Sequence, residues 1–152
     1  EQLPNIGPRL LWYGHKSNLA DLRRIEPDLK HALFVLSNDG IEVDWEPGIF
    51  RQAISSACIV IIPTGKSQAK SENRVVEAIR NGKYVCAEHL PSYEPFAQFF
   101  PLGDIPGHID RALTNQNESL ERVRAAQDYI RDKYSPRSIA EQWLKVIHDN
   151  FD

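Results

Sequence analysis

The chain has 152 residues, which fits one domain of ordinary size that can bury a hydrophobic core. Its net charge of −3 gives no overall attraction to nucleic acid or to an anionic membrane, so any anion-binding site must be local. No apolar run approaches the ~18 residues that a membrane-spanning helix needs, and no signal peptide is recognisable. We therefore expect a cytoplasmic protein, in solution or at the inner face of the membrane.

Both cysteines, Cys58 and Cys86, lie inside apolar runs and are predicted to be buried free thiols rather than a disulfide or a metal pair. This usage favours a reducing compartment. The chain contains no methionine and begins with Glu1, so we expect a processed product or, as the interpretation below favours, a piece of a longer protein.

Short apolar runs alternate with helical patterns along the first two thirds of the chain, and the last third is helical throughout. Ser17, Ser71 and Ser135 are expected to cap helices, and Gly82 to end one. The predicted strands are 9–13, 32–36, 41–45, 58–62 and 84–87. One helix is predicted after Ser17, a second after Pro47, a third over 71–81 and a fourth that ends at Leu113. The rest of the chain is predicted to be helical.

Most of the strand patterns are continuous apolar runs, which is typical of strands buried on both faces of a parallel sheet. The alternation of strands and helices predicts a single α/β domain over residues 1–152, a Rossmann-like parallel sheet with helices on both faces and a helical C-terminal end. In such sheets ligands bind beyond the carboxyl ends of the strands, where loops lead into helix N-termini. Two segments at such places carry residues suited to an anion.

The first segment is GHKS at 14–17, directly after the first predicted strand. Gly14 lets the backbone approach a ligand closely, and His15 or Lys16 can meet a phosphate. The following helix offers unpaired N–H groups to the same anion. The alternative is a glycine turn that carries a solvated lysine.

The second segment is the predicted helix at 71–81 with the residue before it. Lys70 and Arg74 place positive charge near its first turn, against the helix dipole, and an anion bound between them would relieve that conflict. Asn73 and Glu77 lie opposite the apolar face, free for solvent or for a ligand. The alternative is a solvated face on which Glu77 pairs with arginines one turn away, each pair contributing only ~0.2–0.5 kcal/mol.

One set of motifs extends over nearly the whole chain. It consists of LWYGHKSNL at 11–19, SENRVVEAIRNGKYVCA at 71–87, LPSYEPF at 90–96, GDIPGHI at 103–109 and YIRDKYSPRSIAEQW at 129–143. Together these runs resemble the C-terminal domain of glycosyltransferases with the two-Rossmann (GT-B) fold. The resemblance implies a transferase of polysaccharide biosynthesis whose cleft lies between this domain and an N-terminal acceptor domain, so that this chain alone would be inactive.

In such enzymes the C-terminal domain binds the nucleotide-diphosphate-sugar donor, which is a substrate and not a cofactor. The resemblance implies that Glu77 accepts hydrogen bonds from the ribose hydroxyls and that N–H groups near Ser71 hold the diphosphate, with Lys70 or Arg74 adding charge. The base would lie near the TGK loop after Ile62 or the SND loop after Leu36, and both places stay open. The donor-binding residues expected on this basis are Gly14, His15, Lys16, Lys70, Ser71, Asn73, Arg74 and Glu77.

One departure from the family pattern concerns the donor sugar. Many retaining members carry an earlier glutamate on the same segment, and that position falls on Ala69 here. Either the loop alignment shifts toward Glu72 or Lys70, or other groups contact the sugar. Retention or inversion of stereochemistry therefore stays open.

No catalytic residue can be named from the sequence. Three histidines are candidates by chemistry, although a loop histidine is more often a surface residue. The sequence shows no cluster of His, Cys and carboxylates at metal-ligand spacing, so we expect no metal. The histidines are His15, His89 and His108.

Two other classes of function fit an α/β pattern. A non-catalytic receiver-like or flavodoxin-like interaction domain would need carboxylates or a Ser/Thr-rich loop after the first strand, where GHKS stands. A sugar-nucleotide epimerase would share the nucleotide site. If the chain is part of a transferase, its partners are the donor and the acceptor domain, and the acceptor domain could also contact a membrane surface. We further expect an exposed apolar patch near Trp143 and Phe151.

Overall fold

The computed structural model describes residues 2–38, 43–65 and 70–151 and shows a five-stranded parallel sheet surrounded by helices. This confirms the predicted Rossmann-like α/β fold with its helical C-terminal end. The strands are β1 (Leu10–Tyr13), β2 (Leu33–Ser37), β3 (Val43–Asp44), β4 (Ile59–Ile62) and β5 (Tyr84–Ala87). The helices are α1 (Leu19–Ile25), α2 (Pro47–Ser56), α3 (Asn73–Arg80), α4 (Ile105–Thr114), α5 (Gln116–Lys133) and α6 (Pro136–Phe151), with 3-10 segments at Lys16–Asn18, Glu26–Asp28 and Pro91–Phe96.

The strand order is β3-β2-β1-β4-β5, and every neighbouring pair is parallel. β1 and β4 are neighbours although two strands separate them in the sequence, so the chain changes the direction in which it adds strands at this pair. Because parallel crossovers are right-handed, the helices that follow β1 and β4 cover opposite faces of the sheet. A crevice therefore opens above the carboxyl ends of β1 and β4, the place where such sheets bind ligands.

The centre of the sheet is buried on both faces, as its continuous apolar runs predict. Every residue of β4 and β5 is buried. Cys58 and Cys86 are both buried and free, which confirms that prediction. Lys83 is buried as well, with 1% of its surface exposed, and its ammonium donates to the Ser55 carbonyl oxygen at 3.4 Å.

Two predicted helix caps are wrong. The chain makes a 3-10 turn after β1, so α1 begins one residue later than predicted, and its N-cap position is held by Asn18 instead of Ser17. α3 begins at Asn73 after an N-cap Glu72 that makes no side-chain capping bond. Ser71 is one residue too early for its hydroxyl to cap the N–H groups of that helix.

The other two predicted helix ends are confirmed. Gly82 follows α3 with a φ of +69°, the left-handed conformation that favours glycine. The Ser135 hydroxyl accepts a hydrogen bond from the Ser138 N–H at 3.1 Å, as an N-cap does.

α6 leaves its apolar side chains open to solvent. Trp143 is 64% exposed, which confirms the predicted apolar patch at that residue, while the Phe151 side chain lies outside the described part. Within that part, no helix has both the length and the apolar character needed to cross a membrane. The exposed apolar residues of α6 are Ile139, Trp143, Leu144, Val146 and Ile147.

Candidate functional site

Tyr13 ends β1 at the crevice and joins three elements of the fold. Its ring packs edge-on against Phe50 of α2, with ring centroids 4.9 Å apart. Its hydroxyl donates to the Arg74 carbonyl oxygen of α3 at 3.3 Å. Burial, and next the charge of the adjacent Glu77 carboxylate with its hydrogen bond, raise the pKa of Tyr13 far above its usual range. Tyr13 is therefore a neutral hydroxyl that holds α2 and α3 on one face of the sheet.

The Arg74 side chain lies across the turn that follows Tyr13. Its Nη1 donates to the Tyr13 carbonyl oxygen at 3.2 Å. A Cβ at Gly14 would stand 3.1 Å from the Trp12 ring and 3.3 Å from Arg74 Nη1, so a larger residue there would push the guanidinium aside. Burial raises the pKa of Tyr93, and the Arg74 charge acts in the opposite direction. Gly14 thus makes room for a cation held at the mouth of the crevice.

Lys70 lies on the other side of the crevice and is tied to two elements. Its Nζ is 3.3 Å from Asp21 Oδ2 on α1 and donates to the Thr64 carbonyl oxygen at 3.3 Å. Its own carbonyl oxygen accepts from the Ser92 hydroxyl at 2.6 Å. Asp21 partly offsets the Lys70 charge, which leaves Arg74 as the stronger local source of positive potential.

Glu88 organises the ends of β4 and β5. Its Oε2 accepts from the backbone N–H groups of Thr64 and Gly65 at 2.9 and 3.1 Å, and Arg24 donates to both carboxylate oxygens at 2.6 and 2.8 Å. Burial alone would raise the pKa of Glu88, but these donors outweigh it and hold the pKa below its usual value. These residues line an open cleft of about 800 Å³. The backbone N–H groups of Thr64 and Gly65 are therefore already occupied.

Three of the predicted donor-binding residues meet in one cluster around Tyr13, namely Gly14, Arg74 and Glu77. Glu77 is half-buried. It shares a cavity of about 330 Å³ with Asn73, and Tyr134 lines the same cavity. The cluster thus combines a fixed cation with a carboxylate that is open on one side.

Of the remaining predicted residues, Lys70 is half-buried, and the others are exposed, namely His15, Lys16, Ser71 and Asn73. His15 accepts a hydrogen bond from the Ser17 N–H at 3.2 Å and so caps the 3-10 turn. The backbone N–H of Lys16 donates to Asn38 Oδ1 at 3.1 Å, while its side chain is in solvent. Ser71 is exposed, and Ala69 lies outside the described residues, as do Lys66 and Asp39 of the two loops considered for the base.

No protein-family model matches the chain, and no curated protein matches it.

The structure places the other two candidate histidines away from the Tyr13 cluster. His89 is exposed and pairs with Glu94. His108 is buried in α4, where burial lowers its pKa and Arg111 contacts its ring. The described residues contain no group of three or more His, Cys, Asp or Glu side chains placed to hold a metal ion.

Two aromatic residues of the crevice were missed by sequence reasoning. In the sequence, Tyr13 stands in an apolar run and Trp45 ends an alternating one, and neither pattern indicates a binding role. Their position offers the signal that could have found them, because both stand at the carboxyl end of a strand.

Proposed function

We propose that this chain is the donor-binding half of a glycosyltransferase that transfers a sugar from a nucleotide-diphosphate-sugar to an acceptor. The observation that carries the proposal is the cluster of Gly14, Arg74 and Glu77 at the point where strand order reverses. The family motifs fall on the same residues. The Arg74 guanidinium and, one turn along α3, the half-buried Glu77 carboxylate suit a ligand that has both a diphosphate and vicinal hydroxyls.

Each residue of the cluster has a defined part in this proposal. Arg74, fixed by the Tyr13 carbonyl, points charge-assisted donors at the diphosphate. Glu77 accepts hydrogen bonds from the ribose hydroxyls. Among the described residues α3 has no side-chain cap at its N-terminus, so its first N–H groups are open to the same anion.

The acceptor side of the reaction is assigned to a second domain. The exposed apolar residues of α6 are where we expect that domain to pack, because large apolar side chains in solvent mark an interaction surface. The alternative of a receiver-like signalling domain is disfavoured, since β1 is followed by Gly14, His15 and Lys16 where a receiver needs carboxylates.

Calorimetric titration of the chain with UDP, GDP and their sugars tests the proposal. We expect selective binding of one nucleoside diphosphate. Glu77→Ala should weaken it by about 10- to 150-fold, since a hydrogen bond to a charged group contributes about 1.5–3 kcal/mol. Glu121→Ala, which removes an exposed glutamate of α5, is the matched control and should leave the affinity unchanged.

Two results would contradict the proposal. One is a folded wild-type chain, shown by its circular dichroism, that binds none of these nucleotides. The other is equal affinity in the wild-type chain and the Glu77→Ala variant.

A further inference from the structure

Trp45 is a large aromatic residue that stands half in solvent at the ligand-binding edge of the sheet. It directly follows β3 and is 50% exposed. Resting on the proposed function, we infer that the nucleobase of the donor stacks on the Trp45 ring. This places the base beside the loop after β2 and not beside the loop after β4.

Backbone pairing fixes the position of Trp45. Its N–H donates to the Ser37 carbonyl oxygen at 3.1 Å, so it continues the pairing of β3 with β2 by one residue. Ser37 ends β2, and Asn38 follows it. Trp45 thus lies where the SND loop begins, at the carboxyl edge of the sheet.

A chain of aromatic contacts connects Trp45 with the proposed ribose carboxylate. The Trp45 and Phe50 rings have centroids 6.2 Å apart and an interplanar angle of 34°. Phe50 in turn packs against Tyr13, whose hydroxyl neighbours Glu77. The Phe50 and Tyr13 rings therefore lie between Trp45 and Glu77, and the inferred site places the base and the ribose at the two ends of this series.

Thr64 and Gly65, which lie after β4, are less suited to the base because their N–H groups and the Thr64 carbonyl oxygen are already paired. The N–H groups of Thr64 and Gly65 donate to Glu88, and the Thr64 carbonyl oxygen accepts from Lys70. Trp45 instead presents an aromatic surface to solvent, and this surface favours a flat, aromatic ligand.

The inferred contact distinguishes a nucleoside diphosphate from a phosphate compound without a base. Every purine and pyrimidine has a π-face, so stacking on Trp45 supplies affinity for the base without selecting which base binds. Removing such a platform weakens binding by about 5- to 150-fold.

The test compares Trp45→Ala and Trp45→Phe with wild-type protein in titrations against UDP, GDP and inorganic pyrophosphate. We expect Trp45→Ala to weaken the bound nucleoside diphosphate by about 5- to 150-fold and Trp45→Phe to retain most of the affinity. Pyrophosphate affinity should not change in either variant. Leu3→Ala removes another strongly exposed apolar side chain, one that has no part in the proposed site, and should behave as wild type.

The outcomes separate this inference from the proposed function. Loss of nucleotide binding in Glu77→Ala together with unchanged binding in Trp45→Ala overturns the inference and leaves the function standing. A parallel loss of pyrophosphate binding in Trp45→Ala shows that Trp45 acts through the fold, and this also overturns it. Failure of wild-type protein to bind any nucleoside diphosphate overturns both.

Discussion

Glu88 is the residue whose replacement most directly tests how the carboxyl edge of the sheet is held together. Its carboxylate joins the loop after β4, through the N–H groups of Thr64 and Gly65, to Arg24 of α1. The Glu88 side chain is 22% exposed and the Arg24 side chain 51%. The amide bonds therefore carry more of the energy than the ion pair, which water screens.

Glu88→Gln keeps an acceptor oxygen but removes the charge. Charge-assisted hydrogen bonds are roughly twice as strong as neutral ones, so the amides should lose about 1 kcal/mol. The half-exposed pair with Arg24 should lose about 0.2–1 kcal/mol more. The sum is about 1–2 kcal/mol, or roughly 2–8 °C in Tm for a chain of this size. Glu88→Ala should cost more, because it leaves two amide donors without a partner.

The stabilisation by Glu88 should depend on pH, because it comes from the ionised carboxylate. The pKa of Glu88 in the folded protein is lower than its usual value of 4.5, so its stabilisation is fully present above that pH. The stabilisation disappears as the pH falls through the lower, folded-state pKa. Urea unfolding should therefore show a stability gap between wild type and Glu88→Gln at pH 7 that closes in stronger acid. Glu121→Gln, on the exposed face of α5, should show no gap.

Two results would refute this reasoning. A gap below about 0.5 kcal/mol at pH 7 would mean that Glu88 contributes no more than an ordinary surface residue. A gap that persists unchanged in strong acid would mean that the carboxylate charge is not its source.

Two further predictions concern the opposite edge of the sheet. Gly82→Ala should lower the free energy of unfolding by more than about 1 kcal/mol in thermal melts, because φ at this position is positive and the new Cβ would lie 2.8 Å from backbone oxygens of Gln2 and Leu3. The control is Gly48→Ala, whose new Cβ would lie in open space on α2, and it should be neutral or stabilising. Burial lowers the pKa of Lys83, so wild-type stability should rise with pH toward 10.5 relative to Lys83→Met in urea unfolding, and a parallel pH profile for the two proteins would contradict this.

The strands were predictable because burial on both faces leaves a plain mark in the sequence. β4 and β5 are runs of apolar residues bounded by turns, and each was located to within one residue. The order of the strands was not predictable to the same degree. No short-range pattern says that β1 pairs with β4, since that pairing depends on how α1 and α3 cover opposite faces.

The failed caps show the limit of local signals. Ser17 and Ser71 both precede helical patterns, yet each helix begins after intervening residues. At the first position a 3-10 turn uses the His15 ring as its cap. The geometry of the loop before each helix determines the residue at which the helix begins, and the presence of a serine does not indicate that geometry.

The candidate site was partly predictable for a related reason. Arg74 and Glu77 are charged residues on one predicted helix, Gly14 directly follows a predicted strand, and the fold brings the three together. Tyr13 and Trp45 look like any strand residue in a sequence pattern, although their position at the end of a strand gives them a different environment. Chemistry that depends on an aromatic surface is therefore harder to recognise than chemistry that depends on charge.

The position of the Arg74 charge is not explained by the packing of the fold. It lies in the first turn of α3, where positive charge opposes the helix dipole at a cost of about 0.3–1 kcal/mol. Lys70 has Asp21 as a counter-charge, but the ion pairs among the described residues do not include Arg74, and the Tyr13 carbonyl supplies only a partial charge. A bound diphosphate would neutralise Arg74 and remove that cost. Ligand binding at this site should therefore also stabilise the fold, since a ligand that binds only the native state raises its free energy of unfolding.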